Sequence, residues 1–417
     1  MSPITFSRIY HFDPRIVDGS YFSGEALEVE PGDVVGVVLL NLGGPAQSAD
    51  VEPFLYNLFM DPAIIDIPLR GWTRHLLCRL ISSLRARKVA RDYEAIDPRG
   101  GSPINPLTRE QSAGLQRELE DRFGRRAGLT FRTFIAMRYW HPFSEAAAAD
   151  MARAGVTKVV LLPLYPHYSK TTTGASLVYW NELEKRGEIP HWPTTYVQEY
   201  AIHPRYLAAL SDRIDEGLAR FPEDVRANVH ILFSAHGTPL REMTERNDPY
   251  CCLIHSTVDR LMEHRGHDRS FDVAFQSKVG PATWLTPSTP GKLKELGEQG
   301  INAVLVVPVA FVTDHIETAF ELDVEVREEA HEFGITHYEV TGGLNDHPEF
   351  IAALAESVAA QLRSDKAPLL EGTRPWPHRP CRDREDRNVR CENCRYVAEA
   401  HIWEEEYLED TGGAVDR

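Results

Sequence analysis

The sequence predicts an α/β protein made of two similar halves, each built on a parallel sheet. Two observations carry this. Continuously apolar runs alternate with amphipathic stretches, and the runs recur in the same order in the second part of the chain.

The apolar runs are residues 34–42, 131–137, 158–164, 229–234, 271–277 and 303–312. Several lack the in–out alternation of a half-exposed strand, as parallel strands covered on both faces should. Between them, residues 112–123, 206–221 and 290–296 space their apolar residues as helices do. Gly155-Val-Thr-Lys-Val-Val-Leu-Leu-Pro163 is echoed by Gly300-Ile-Asn-Ala-Val-Leu-Val-Val-Pro308. A run ending in Asn41-Leu-Gly-Gly-Pro45 is echoed by Ser234-Ala-His-Gly-Thr-Pro239, and Met137-Arg-Tyr-Trp-His-Pro142 more loosely by Gln276-Ser-Lys-Val-Gly-Pro281. Any two strand–helix units share some likeness, but three matches in one order indicate two similar halves. The expected division is an extension at 1–33, halves at 34–190 and 191–365, and a Pro-, Arg- and acid-rich extension at 366–417.

Composition narrows the function. A formal net charge of −17 argues against a nucleic-acid surface, which needs a basic footprint. No run reaches the ~20 apolar residues of a membrane span, and the first 33 residues show no basic stretch followed by an apolar one. Six cysteines in 417 residues make no disulfide scaffold, so a reducing, cytoplasmic setting is expected.

In parallel sheets, ligands bind outside the carboxyl ends of the strands. His236 follows one such run and precedes a glycine, where an imidazole can take a proton near neutral pH or ligate a borderline metal. After another run comes Thr313-Asp-His-Ile-Glu-Thr-Ala-Phe-Glu-Leu-Asp-Val-Glu325. Glu317, Glu321 and Glu325, spaced by four, form one acidic stripe on a helix, with Asp314 and His315 at its start. Asp314 as a helix N-cap and the glutamates as a solvated face are the plain structural alternatives. Carboxylate with imidazole suits a divalent first-row metal whose ligands must exchange.

Leu40-Asn-Leu-Gly-Gly-Pro45, Gly100-Gly-Ser-Pro-Ile104, Arg138-Tyr-Trp-His-Pro142, Tyr165-Pro-His-Tyr-Ser169, Ser234-Ala-His-Gly-Thr-Pro239, Asn247-Asp-Pro-Tyr250, Gln276-Ser-Lys-Val-Gly-Pro-Ala-Thr-Trp-Leu285 and Thr313-Asp-His-Ile-Glu-Thr318 follow one another between about residues 34 and 362. In order and approximate spacing, this set resembles the ferrochelatase family. The resemblance implies two Rossmann-like domains with parallel four-stranded sheets flanking a porphyrin cleft, and insertion of Fe²⁺ into protoporphyrin IX with release of two protons. Coproporphyrin III as the acceptor, or a non-catalytic tetrapyrrole or metal carrier on the same fold, are the other readings. His236 matches the family's cleft histidine, assigned either to metal or to pyrrole protons, and Glu317 the carboxylate facing it. Asp314, His315 and Glu321 match a path for iron or protons. Arg138 and Tyr139 match a pair on the opposite wall, Trp284 an aromatic at the cleft, and Ser102 and Arg87 groups that hold propionates. Leu42 and Tyr165, with Trp284 and Tyr139, can supply apolar walls for the macrocycle.

Residues 71–88 mix large apolar residues with cations, which suits either a helix lying on an anionic membrane face or an ordinary surface helix. Monomer and homodimer are both open. In the tail, Cys381, Cys391 and Cys394 resemble the cysteines that hold a [2Fe–2S] cluster in some members of the family. In the animal enzymes the internal cysteine follows Tyr-Pro-x-Tyr-Ser, where this chain has Lys170. Cys252 or Cys251 is then the candidate fourth ligand, with Cys78 less favoured. Zinc bound with His378 or His401, and unliganded thiols, are the alternatives.

Overall fold

A computed structural model describes residues 1–23, 26–277, 282–364 and 369. Among these, the strands are β1 (Leu27–Glu28), β2 (Val34–Asn41), β3 (Thr130–Met137), β4 (Lys158–Pro163), β5 (Thr194–Tyr196), β6 (His230–His236), β7 (Phe271–Gln276), β8 (Ala303–Pro308), β9 (His337–Val340) and β10 (Leu362–Arg363). The first five helices are α1 (Pro3–Ile9), α2 (Arg15–Asp18), α3 (Val51–Met60), α4 (Gly71–Ile96) and α5 (Ile104–Leu119).

All six apolar runs become strands, and every pairing is parallel. The first sheet has the order β3-β2-β4-β5, and the second repeats it as β7-β6-β8-β9. β4 and β8 each end on a proline, Pro163 and Pro308, which lacks the N–H for another ladder bond. The run read to residue 312 therefore stops as a strand at Pro308, and residues 309–312 lead into a loop. β5 pairs with β4 through Val159↔Thr194 and Leu161↔Tyr196. The first sheet thus extends past the 190/191 division drawn from sequence.

The central strands decide where loops gather. In each half the chain leaves the first strand (β2 or β6) for one neighbour and later returns to the other side, so the loop after that strand exits where the strand order reverses. Those two loops are 41–45 and 236–239. The sheets are not separate bodies: one apolar cluster takes Val37, Leu39 and Leu162 from the first sheet and Ile231, Phe233 and Leu305 from the second. Between them lie α5 and the helices Pro204–Ala219 and Pro348–Ala359, which supply Leu115, Ile214 and Leu354 to the same cluster.

The segment before β2 is packed, not appended. Phe6 and Ile16 are buried, the Tyr168 hydroxyl donates to Ile16 O at 2.8 Å, and Ser7 Oγ accepts from Gly71 N at 3.0 Å. β1 pairs with β10 (Leu27↔Leu362), tying this segment to the last described strand. Polar bonds also cross between the halves. Lys170 Nζ lies 3.1 Å from Glu242 Oε2, both side chains buried, and Asp248 Oδ2 accepts from Lys170 N and Ser169 Oγ.

α4 begins where Arg74, fully buried, donates to Phe59 O, Met60 O, Asp61 O and Ile65 O. The guanidinium satisfies carbonyls left open at the end of α3. On its outer side α4 presents Trp72, Leu76, Leu80 and Leu84 to solvent, 58–73% exposed. No helix among the described residues is long and apolar enough to cross a membrane.

Candidate active site

His236 closes β6, and the reversal of strand order places its ring at the carboxyl edge of the second sheet. Its Nδ1 lies 2.5 Å from Gly237 O. A carbonyl only accepts, so Nδ1 is the donor in this bond. That Nε2 faces Glu317 Oε2 at 3.9 Å. Phe311 and Trp284 flank the imidazole, with ring centroids at 6.1 and 6.5 Å. The Tyr250 hydroxyl anchors the main chain from behind by donating to His236 O.

His315 repeats the arrangement. Its Nδ1 donates to Thr313 O at 3.1 Å, and its Nε2 lies 3.9 Å from the same Glu317 oxygen. Burial pulls its pKa below that of a free imidazole, so it is neutral at physiological pH. The Nε2 atoms of two imidazoles thus approach one carboxylate oxygen. A third group approaches that oxygen: Gln276 Nε2 donates to it at 3.3 Å, its own Oε1 accepting from Ser234 Oγ.

Glu317 opens a π-helical segment, Glu317–Glu325. The stripe of three glutamates spaced by four assumes an α-helix. The wider π turn still brings residues four apart near one face, and π geometry is frequent at functional sites, though Glu120–Gly124 and Lys170–Gly174 adopt it elsewhere in this chain. Glu321 lies one such step on and accepts from Ser277 Oγ at 2.8 and 3.0 Å. Burial first, then the charge of Glu317, raises its pKa to about 7, so it exchanges a proton near neutrality. Ser277 holds φ +64°, a left-handed conformation uncommon outside glycine. Glu325 is exposed and sits 3.9 Å from Lys88 of α4.

Several expected residues stand elsewhere. Asp314 does not cap the helix. Its carboxylate accepts from Gly343 N and Asn345 Nδ2, each at 2.8 Å, which fixes the loop after β9 and occupies both oxygens. Arg138 and Tyr139 turn their polar ends to Asp61, not to an open wall. Arg138 Nη2 lies 2.6 Å from Asp61 Oδ2, Tyr139 donates to the same oxygen at 2.9 Å, and the rings of Phe6, Tyr139 and Tyr179 surround the guanidinium. Ser102 is buried. Arg87 is exposed on α4. Leu42 packs at the edge of a cluster holding Tyr93, Tyr139 and Ile316, the residue before Glu317. Tyr165 is buried. Trp284 lies over Gly237, where an added Cβ would meet its ring at 3.1 Å.

Cys252 is half-buried and Cys251 buried on the helix Tyr250–His264. Cys381, Cys391 and Cys394, with His378 and His401, lie outside the described residues, as do residues 278–281 of the Gln276–Leu285 motif. Lys170 is a buried ammonium bonded to Ala63 O as well as Glu242, so that position offers no thiolate. No group of three or more His, Cys, Asp or Glu among the described residues is close enough together to hold a metal ion as it stands. Gln276, Gln111 and Asn345 were not singled out in the sequence, since an amide carries no charge and no ligand spacing.

The fold is that of a doubly wound α/β protein with imidazoles and carboxylates meeting at a strand-order reversal, and the comparisons with known proteins make the chain a metal-chelatase enzyme. The family model for ferrochelatase matches residues 34–362, and the chain belongs to the ferrochelatase family. It is 42% identical over 347 residues to a protein named ferrochelatase from Gloeothece citriformis, covering 82% of this chain and 86% of that one. It is 43% identical over 335 residues to one from Rippkaea orientalis, covering 79% and 83%. Among solved structures it is similar to SirB from Bacillus subtilis with Fe³⁺ at 11% identity and a TM-score of 0.44, over 79% of this chain and 95% of that one.

Proposed function

We propose that the chain inserts Fe²⁺ into protoporphyrin IX, with His236 and Glu317 carrying the metal and proton chemistry. The observation that supports this is the approach of His236 Nε2 and His315 Nε2 to one oxygen of Glu317. Metallation replaces two pyrrole N–H protons by one divalent ion, so the site must accept two protons and let them leave. Glu317 receives a proton at the macrocycle, and Glu321, poised near neutrality, passes it outward along the π-helical segment. The lone pairs of His236 and His315 give the incoming cation replacement ligands as it sheds water. Trp284 and Phe311, beside His236, supply apolar surface to the porphyrin face.

Anaerobic Fe²⁺ insertion tests this, using wild type, His236→Ala and Glu317→Gln with both protoporphyrin IX and coproporphyrin III. Turnover in each variant is expected to fall by roughly 10²–10⁴, with protoporphyrin the faster substrate. Retained turnover in both variants overturns the residue roles, and faster coproporphyrin metallation overturns the substrate.

The exposed stripe on α4 supports peripheral attachment to an anionic membrane face in the cytoplasm. For the tail, Cys381, Cys391 and Cys394 with Cys252 are the proposed ligands of a [2Fe–2S] cluster. Anaerobically purified protein should then show visible absorbance with iron and acid-labile sulfide, whereas colourless, zinc-loaded protein overturns the cluster.

A further inference from the structure

α5 has a polar face that is buried, an arrangement stable only if every group on it is bonded. Toward its start, Asn105 Nδ2 donates to Gly44 O at 2.7 Å and Thr108 Oγ1 accepts from Asn41 Nδ2 at 3.0 Å. Both bonds fix the loop after β2, within the first half. One turn further on, Gln111 points the other way. It is fully buried, and its Nε2 donates to Thr313 Oγ1 and to Asn345 O, each at 3.0 Å, in the second half.

Those two acceptors frame the site. The carbonyl of Thr313 receives the Nδ1 proton of His315 and so determines where Nε2 points. Asn345, in the left-handed conformation at φ +49°, bonds Asp314 twice, its Oδ1 accepting from Asp314 N and its Nδ2 donating to Asp314 Oδ2. Residues 313 and 314 are therefore gripped from both sides immediately before His315. Both hydrogens of the Gln111 amide are spent on this grip. An apolar side chain would fill the volume but take the bonds of the buried Thr313 hydroxyl and of the part-buried Asn345 carbonyl to Gln111 away.

We propose that Gln111 is a positioning residue, setting the direction of His315 toward Glu317 from the opposite half of the molecule. This rests on the reading of His315 and Glu317 as part of the working site. Its consequence is that the orientation of the imidazole depends on how the two halves meet along α5.

The test compares full-length wild type, Gln111→Met, His315→Ala and the double variant in anaerobic Fe²⁺ insertion, with circular dichroism and thermal unfolding run in parallel. Gln111→Met is expected to lower kcat by about ten- to a hundred-fold, as small misplacements do, and to leave the porphyrin KM within about two-fold. In the His315→Ala background, the same substitution should lower kcat by less than about two-fold more, because its route is already cut. An undiminished effect in that background overturns the proposal, as does a raised porphyrin KM with unchanged kcat, or no effect at all. If Gln111→Met fails to fold, Thr313→Val carries the same expectations. Glu317→Gln is measured alongside: full turnover there overturns the site reading itself, whereas lost turnover with additive Gln111 and His315 effects overturns only the positioning role.

Discussion

Asp61 is a single acceptor serving two buried donors, the Arg138 guanidinium and the Tyr139 phenol. Removing it leaves a cation enclosed by three aromatic rings with no counter-ion. Asp61→Ala is therefore expected to lower unfolding stability by about 3–5 kcal/mol in urea melts, and an unchanged midpoint would refute the structural role. Glu199 provides a test by pH. Burial raises its carboxyl to about 7, against the opposing bond from Ala201 N. Below about 4.5 the side chain is protonated in both folded and unfolded chains. Between there and 7 only the folded chain holds the proton, so stability falls as pH rises through that window. Glu199→Gln should flatten this limb, by no more than about 3 kcal/mol, in unfolding curves recorded from pH 4 to 8. At this scale the sequence is informative about chemistry and poor about partners. His236 and Glu317 are legible because their types and their places after strands belong to the proposed reaction. Asp61, Gln111 and Asn345 are not, because each acts on residues far along the chain that only folding brings near.

Elements show the same limit in another form. Glutamates four residues apart are compatible with an α-helix or a π-helix, so the stripe is visible in the sequence while its wider turn is not. β5 and β9 were missed because three or four residues cannot display a period. α4 was read as a mixed apolar and basic stretch to residue 88, and it runs to Ile96. Its exposed Trp72, Leu76, Leu80 and Leu84 touch little of the fold, so Leu76→Glu with Leu80→Glu should leave the thermal midpoint within about 1–2 °C, as surface changes do. The same double variant should abolish co-sedimentation with phosphatidylserine-containing vesicles. Undiminished sedimentation would rule out α4 as the docking element.

Across the whole molecule, the duplicated strand order was foreseeable from the echoed motifs, but the joining of the halves was not. Lys170 and Glu242 form a buried contact across that join, with Arg246 on the same carboxylate and also on Asp66, and the sequence neighbourhoods of Lys170 and Glu242 give no hint of each other. Glu242→Ala is expected to destabilise the fold by about 3–5 kcal/mol, whereas Lys170→Met with Glu242→Leu should recover most of the loss, since a packed apolar pair can replace a buried ionic one. Denaturant midpoints of the three proteins decide the matter. The exposed cations of α4 have a consequence at this scale too. Arg79, Arg85, Arg87, Lys88 and Arg91 are exposed there, on a chain whose formal net charge is −17. Near an anionic bilayer the whole body is repelled at long range while this face is attracted at short range. In about 10 mM salt the field reaches roughly 30 Å and repulsion prevails, whereas at about 0.1 M it reaches only roughly 10 Å, leaving mainly the contact face to act. Adsorption should then pass through a maximum as ionic strength rises, unlike the steady decline of a uniformly basic protein.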